Sequence, residues 1–123
     1  MVAEYLGQQD VNPAQHGTAH PEIVHPAQSW YSGDWYGLDP CSDLGRDHLW
    51  YGPDILDAIQ SARVPQEIGS HSFAHPRFGD PAMTREAAAS DLDACLAAAT
   101  ARGIVLRSFV FPFNSEGHHE LLR

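Results

Sequence analysis

His71 and His75 are the residues of this sequence whose types and spacing best suit chemistry. Two imidazoles four residues apart can bind one metal ion if the backbone folds them together. A helix is not expected to bring them together, because Gly69 precedes the pair and Pro76 disfavours a helical conformation at His75. The pair should instead lie at the end of a short strand and in the following loop, where α/β folds build their sites. The alternative is two surface histidines that share no ligand.

The remaining histidines form weaker patterns. His16 and His20 have the same spacing, with His25 nearby, but no regular element is expected around them. They therefore predict a loop rather than a metal site. His118 and His119, near the C-terminus, could face a site or solvent.

Residues 30–36, with the sequence WYSGDWY, form an aromatic segment. Aromatic faces pack well against the apolar faces of flat ligands, which makes Trp30 and Trp35 candidate sugar-binding residues. The alternative is a loop that packs these rings onto the body of the domain.

Charge and composition exclude several classes of function. Sixteen acidic residues oppose seven basic ones, all arginine, for a formal net charge of −9. Such a chain repels phosphate backbones and anionic lipids, so neither a nucleic acid nor a membrane surface is expected as a partner. No stretch reaches the roughly 18–20 apolar residues of a membrane span. The absence of lysine excludes Schiff-base chemistry.

The number of cysteines and the N-terminal residues of the sequence indicate the cellular compartment. Cys41 and Cys95 are the only cysteines, and they form neither a disulfide framework nor a zinc ribbon. The start of the chain has neither a basic nor an apolar region of a secretory signal. We therefore expect a cytoplasmic protein with free thiols.

Regular structure is expected only in the second half of the chain. Proline and glycine punctuate residues 1–50, which predict an irregular segment. Helices are expected over 53–62 and 85–102, and strands over 67–71 and 104–111. This helix–strand–helix–strand order is typical of an α/β fold with crossover connections.

Local signals support the second helix most strongly. Thr84 is a suitable N-cap, Glu86 lies in the first turn and Gly103 follows the last turn. The expected apolar stripe consists of Ala88, Leu92, Cys95, Leu96 and Ala99.

Residues 67–75, with the sequence EIGSHSFAH, resemble the second motif of the polysaccharide deacetylase family, H-[ST]-x-x-H. This is the NodB-homology domain, or carbohydrate esterase family four. A helix and then residues 108–114, which are similar to the family's third motif, follow in the expected order. The resemblance covers about residues 29–123. It implies an α/β fold, a partial (β/α) barrel of residues 29–123, preceded by an irregular N-terminal segment of residues 1–28.

The resemblance also implies an activity. Family members bind a divalent metal ion, usually zinc, through two histidines and one aspartate, so His71 and His75 become the expected ligands. They are hydrolases that remove N- or O-acetyl groups from carbohydrate polymers, acting on carbon–nitrogen bonds other than peptide bonds. An acetylated polysaccharide or oligosaccharide is therefore the expected partner. The residues expected to bind substrate are Trp30, Trp35, Phe111 and Phe113.

The sequence departs from the family pattern at the positions that carry catalysis. The first motif supplies an Asp-Asp pair, and no such dipeptide occurs here. Asp80, close to His75 in sequence, and Asp34 are the surrogate candidates. Val110 stands where the third motif has its arginine and Phe113 where it has its tyrosine.

The late motifs of the family, with the acid histidine, have no counterpart in these 123 residues. The expectation is therefore a deacetylase-like protein with weak or no activity by itself. The alternatives are a non-catalytic metal- or glycan-binding relic and one half of a split deacetylase. An open half-barrel would also be expected to form a homo-oligomer or to pair with a chain carrying the missing strands.

Overall fold

The structure, a computed structural model, describes residues 20–123. Two α-helices occur there, α1 (Pro53–Gln60) and α2 (Arg85–Ala101), with short 3₁₀ turns at Pro112–Asn114 and His119–Leu121. Residues 20–52 contain turns but neither helix nor strand, as predicted. The earlier part of the predicted N-terminal segment, with His16, lies outside the described residues.

Helix α2 confirms the prediction from its local signals. The hydroxyl of Thr84 accepts a 3.1 Å hydrogen bond from the backbone N–H of Ala87, and Gly103 follows the helix with φ of +67°. The buried stripe differs from the predicted one. Leu96 is 52% exposed, whereas Asp91 is fully buried. A carboxylate therefore occupies a position facing the interior, and its role is described below.

Helix α1 begins at Pro53 as predicted and ends at Gln60. Of its three large apolar residues, only Leu56 is buried, while Ile55 is 63% exposed and Ile59 is 39% exposed. The apolar face expected for this helix is thus mostly open.

The prediction of a partial (β/α) barrel is wrong. Residues 20–123 contain no strand and no sheet. The predicted strands over 67–71 and 104–111 meet only at one parallel bridge between Ser70 and Phe109. The N–H of Ser70 donates to the Ser108 carbonyl at 2.8 Å, and the N–H of Val110 donates to the Ser70 carbonyl at 2.9 Å. Two isolated parallel segments lack the neighbouring strands that stabilise a sheet, so the pairing stops there.

Gly69 marks the close approach that its position suggested. A Cβ atom at Gly69 would lie 2.5 Å from the Oγ of Ser108. The missing side chain of Gly69 therefore leaves room for the Ser108 hydroxyl between the two segments.

The interior consists of two clusters, and α2 contributes to both. The first core cluster consists of Tyr36, Cys41, Phe73, Ala74 and Cys95. The second core cluster consists of Phe78, Met83, Ala87 and Ala88, with Phe109 and Phe111 packed against it. The chain segment 71–78 joins the two clusters and carries both candidate metal ligands.

Over residues 20–123, neither the length nor the apolar character of any helix suffices to cross a membrane.

Candidate metal and carbohydrate site

The structure brings His71 and His75 together. Their Nε2 atoms lie 2.9 Å apart, and the rings are partly exposed. The Nδ1 atom of His71 lies 2.7 Å from the backbone carbonyl oxygen of Val110. Since a carbonyl only accepts hydrogen bonds, this partner assigns the proton of His71 to Nδ1 and leaves the Nε2 lone pair directed at His75. Metal-binding histidines are oriented in this way by a carbonyl on the other ring nitrogen.

The spacing suits a metal ion. Two nitrogen ligands of tetrahedral zinc are about 3.3 Å apart, from bonds of about 2.0–2.1 Å. The two Nε2 atoms, at 2.9 Å, would need to separate by only a few tenths of an ångström. Burial, together with the neighbouring His71 ring, lowers the pKa of His75, which keeps this ring neutral at pH 7. Neutral imidazole is the form that binds metal.

Asp91 holds the loop between the two histidines. Its buried carboxylate accepts hydrogen bonds from the backbone N–H groups of Phe73, at 3.0 Å, and Ala74, at 2.9 Å. The backbone N–H of His75 donates to the Ser72 hydroxyl at 2.9 Å. Burial raises the pKa of Asp91, and the two amide hydrogen bonds oppose this shift. Sequence reasoning missed this residue, although an acid within the apolar stripe of a helix was a signal for it.

Backbone strain concentrates in the two loops that form the site. Four residues other than glycine have positive φ there: Ser72 at 67°, His75 at 58°, Phe113 at 57° and Asn114 at 53°. For Ser72, His75 and Phe113 such a conformation costs on the order of 1–3 kcal/mol and persists only where the surroundings impose it, whereas asparagine adopts it readily. Strain of this kind clusters at functional sites, which supports a role for these loops beyond packing.

An aromatic–arginine surface, formed by Trp30, Arg77 and Phe113, adjoins the histidine pair. The ring centroids of His75 and Phe113 are 4.7 Å apart. The guanidinium carbon of Arg77 lies 4.9 Å from the centroid of Phe113 and 5.1 Å from that of Trp30. Trp30 and Phe113 are each 53% exposed. One of the predicted substrate-binding residues, Phe113, therefore lies beside His75, and Arg77, which sequence reasoning missed, links Phe113 to a second one, Trp30.

The other two predicted substrate-binding residues have interior partners. The indole N–H of Trp35 donates to the Ala74 carbonyl at 2.7 Å, so this residue helps hold the histidine loop. Phe111 packs against Phe109 and Phe78, with centroid distances of 5.0 and 5.9 Å. It belongs to the packing around the second core cluster.

The aromatic segment 30–36 is partly packed onto the domain and partly exposed, so each of its two interpretations, a packed loop and a ligand-binding surface, fits a different part of it. Tyr36 is buried in the first core cluster and Trp35 packs against it. Trp30 and Tyr31 stay 53% and 40% exposed. The end of the segment packs onto the body, and its beginning remains available to a ligand.

Asp34, one of the two surrogate catalytic candidates, has partners of its own. It accepts hydrogen bonds from the Nδ1 of His25, at 2.7 Å, and from the backbone N–H of Tyr36, at 3.1 Å. Its carboxylate thereby holds the turn of the aromatic segment.

Asp80, the other candidate, also stabilises a turn. It accepts hydrogen bonds from the backbone and hydroxyl of Ser29 and from the backbone of Ala82, each at 2.8 Å. Burial alone would raise the pKa of Asp80, but these hydrogen bonds and the charge of Arg77 lower it overall. Its contacts therefore serve the fold, and a catalytic role for it stays a prediction.

Among the described residues, a third protein ligand does not accompany the pair. Across residues 20–123, no three histidine, cysteine, aspartate or glutamate side chains are grouped closely enough to hold a metal ion. The described part of the chain therefore offers two ligands, and the other coordination positions of a bound ion would be open to water or to substrate.

Three further histidines, His20, His118 and His119, have contacts away from this pair. The Nε2 of His20, a buried residue, lies 3.3 Å from Asp39. The Nε2 of His118 lies 3.0 Å from the carbonyl of Met83, and the His119 ring packs on Phe111 at 5.1 Å. These contacts stabilise loops.

No protein-family model matches the sequence, and no curated protein or solved structure matches it significantly. The resemblance to the deacetylase family therefore rests on residues 67–75 and 108–114 and stays a prediction.

Proposed function

We propose that this chain is a polysaccharide-deacetylase-like protein that binds a divalent metal ion, zinc first, through His71 and His75. The observation that carries the proposal is the 2.9 Å separation of the two Nε2 atoms, with His71 oriented by the Val110 carbonyl. The adjoining aromatic–arginine surface supports carbohydrate as the ligand, because half-exposed rings of this kind pack against sugars.

Hydrolysis of an N- or O-acetyl group is the chemistry that the metal would supply, by polarising the acetyl carbonyl and lowering the pKa of a bound water. His71 and His75 would hold the ion, and Phe113 and Trp30 would orient the sugar beside it. General acid and base groups each contribute about 10²–10⁴-fold to such reactions. Since Asp34 and Asp80 are occupied by turn contacts, we propose weak or no turnover by the chain alone.

The second candidate is a non-catalytic metal- or glycan-binding protein, or one half of a split deacetylase. It is favoured by the two-ligand histidine pair and by the exposed apolar residues of segment 104–111. Val105 and Val110 in this segment are 72% and 58% exposed. Pairing with a second copy, or with a chain that carries further strands, would cover them. A cytoplasmic location belongs to both candidates, supported by the free thiols of Cys41 and Cys95.

Calorimetric titration with zinc at pH 7.5 tests the metal site. We expect one-to-one binding by the wild type and its loss in the His71→Ala/His75→Ala variant. The matched control is His118→Ala/His119→Ala, which removes two adjacent histidines elsewhere and should bind as the wild type does. Equal zinc binding by both double variants would refute the site.

Release of acetate from an acetylated chitooligomer by the zinc-loaded chain separates the two candidates. Turnover that is absent from the His71→Ala/His75→Ala variant supports an enzyme. Saccharide binding without turnover supports the non-catalytic candidate.

A further inference from the structure

Arg77 is the charged group of the aromatic–arginine surface. Its contacts determine which of its atoms are available to bind a ligand. Its guanidinium lies over the rings of Phe113 and Trp30, 4.9 and 5.1 Å from their centroids. A contact of this kind with a ring face needs no N–H hydrogen bond, so it leaves the N–H donors of the guanidinium for other partners. A planar fork of N–H donors matches the two oxygens of a carboxylate.

The described residues do not supply that carboxylate. Among residues 20–123, no acidic side chain forms an ion pair with Arg77. The charge of Arg77 helps to lower the pKa of Asp80, but the oxygens of Asp80 accept hydrogen bonds from Ser29 and Ala82. Arg77 is therefore an exposed cation held in place by two rings in a chain of net charge −9. An arginine that is held in place but forms no ion pair is suited to bind one specific anionic group, rather than to attract anions in general.

The position of Arg77 relative to the histidine pair indicates which chemical group a bound ligand would place beside it. Phe113 contacts both the His75 ring, at 4.7 Å, and the Arg77 guanidinium, at 4.9 Å. A ligand that bound at the metal pair and packed on Phe113 would thus come close to Arg77 as well. Half-exposed Trp30 extends the surface beyond Arg77.

We infer that the saccharide bound beside His71 and His75 carries a carboxylate, as in a uronic acid residue, and that Arg77 binds this group through its N–H fork. The inference rests on the proposed function for the presence of a saccharide and adds its chemical class. Neutral acetylated sugars would use the rings alone and would bind more weakly.

The test uses an acetylated glucuronoxylan oligomer with one uronic acid, and the same oligomer with its carboxylate converted to the methyl ester. Calorimetry on the zinc-loaded full chain compares the wild type with Arg77→Gln. The control is Arg107→Gln, which makes the same charge change at an exposed arginine outside this surface. We expect the wild type and Arg107→Gln to bind the acid about tenfold or more tightly than the ester. Arg77→Gln should bind both oligomers alike.

Three results would overturn the inference: equal affinity of the wild type for acid and ester, the same loss in Arg107→Gln as in Arg77→Gln, or binding of neither oligomer. Zinc titration of Arg77→Gln should match the wild type, so a failed metal site is seen separately. Repeating the acid and ester titrations in a chelator decides the role of Arg77 even if zinc does not bind.

Discussion

The buried carboxylate of Asp91 accepts a 2.9 Å hydrogen bond from the backbone N–H of Ala74, and so ties helix α2 to the loop that separates the two histidines. A second bond, from the N–H of Phe73 at 3.0 Å, fixes the same loop. Strained conformations at Ser72 and His75 need such support, because positive φ is unfavourable for these residues. Asp91 is thus the residue through which a helix positions the candidate metal ligands.

Replacement of Asp91 by alanine is expected to lower both stability and zinc affinity. Two buried backbone N–H groups would lose their acceptor, and each such loss costs about 1–3 kcal/mol. We expect a decrease of about 3 kcal/mol in the free energy of unfolding, measured in urea. Asp93→Ala, on the exposed side of the same helix, is the matched control and should change stability by less than about 0.5 kcal/mol. Equal effects of the two variants would contradict the positioning role.

Zinc affinity is expected to depend on pH through the histidine pair. Burial lowers the pKa of His75, so zinc displaces no proton from this ring at pH 7.5. As the pH falls below the ordinary histidine value of about 6.5 and through the lowered pKa of His75, protons compete for the nitrogens of this ring and the affinity should decrease. Titrations at pH 7.5, 6.5 and 5.5 measure this dependence. A constant affinity from pH 8 to pH 5 would argue against ligation by histidine.

Stability is also expected to fall in mild acid, because of His20. Burial lowers the pKa of His20 against the opposing charge of Asp39. The unfolded chain, with the ordinary value near 6.5, then binds more protons than the folded chain, so the free energy of unfolding decreases as the pH falls through this window. Urea unfolding at pH 7.5 and 5.5 should show a larger decrease for the wild type than for His20→Gln. His119→Gln, at an exposed position, should behave as the wild type does, and a parallel decrease in all three would exclude His20 as the cause.

Alanine substitutions at two phenylalanines, Phe78 and Phe113, are expected to affect different properties, protein stability for Phe78 and saccharide binding for Phe113. Phe78 is 1% exposed and packs against Phe109, with centroids 5.6 Å apart. Phe78→Ala should cost about 3–5 kcal/mol, the range for large aromatic truncations in a core. Phe113→Ala removes a half-exposed ring and should leave the urea midpoint nearly unchanged while weakening saccharide binding. A large loss of stability in Phe113→Ala would assign this ring to the fold rather than to the surface.

Local signals in the sequence predicted the elements that depend on local interactions. The cap at Thr84, the start of α1 at Pro53 and the glycine after α2 each act within about one helical turn, and all three are found. Gly69 indicated the close backbone approach at Ser108 for a similar reason, since its missing side chain is visible in the sequence itself.

Local signals of this kind could not show whether the two predicted strands would form a sheet. A strand pattern in residues 104–111 describes one segment, whereas a stable sheet requires further strands paired beside it. Only the Ser70–Phe109 bridge forms between the described segments. The apolar run of residues 104–111 therefore does not become a strand, and the barrel expected from the family resemblance is absent from residues 20–123.

The sequence by itself identified His71 and His75 as a pair and the aromatic segment as a candidate binding element. Only the tertiary structure oriented the pair, through the carbonyl of Val110, and placed Arg77 between Phe113 and Trp30. These contacts join residues that lie tens of positions apart along the chain. Spacing in sequence is informative where neighbours along the chain interact. Hydrogen bonds and ring contacts between distant segments depend on how the two core clusters pack, and packing is decided by all of the elements together.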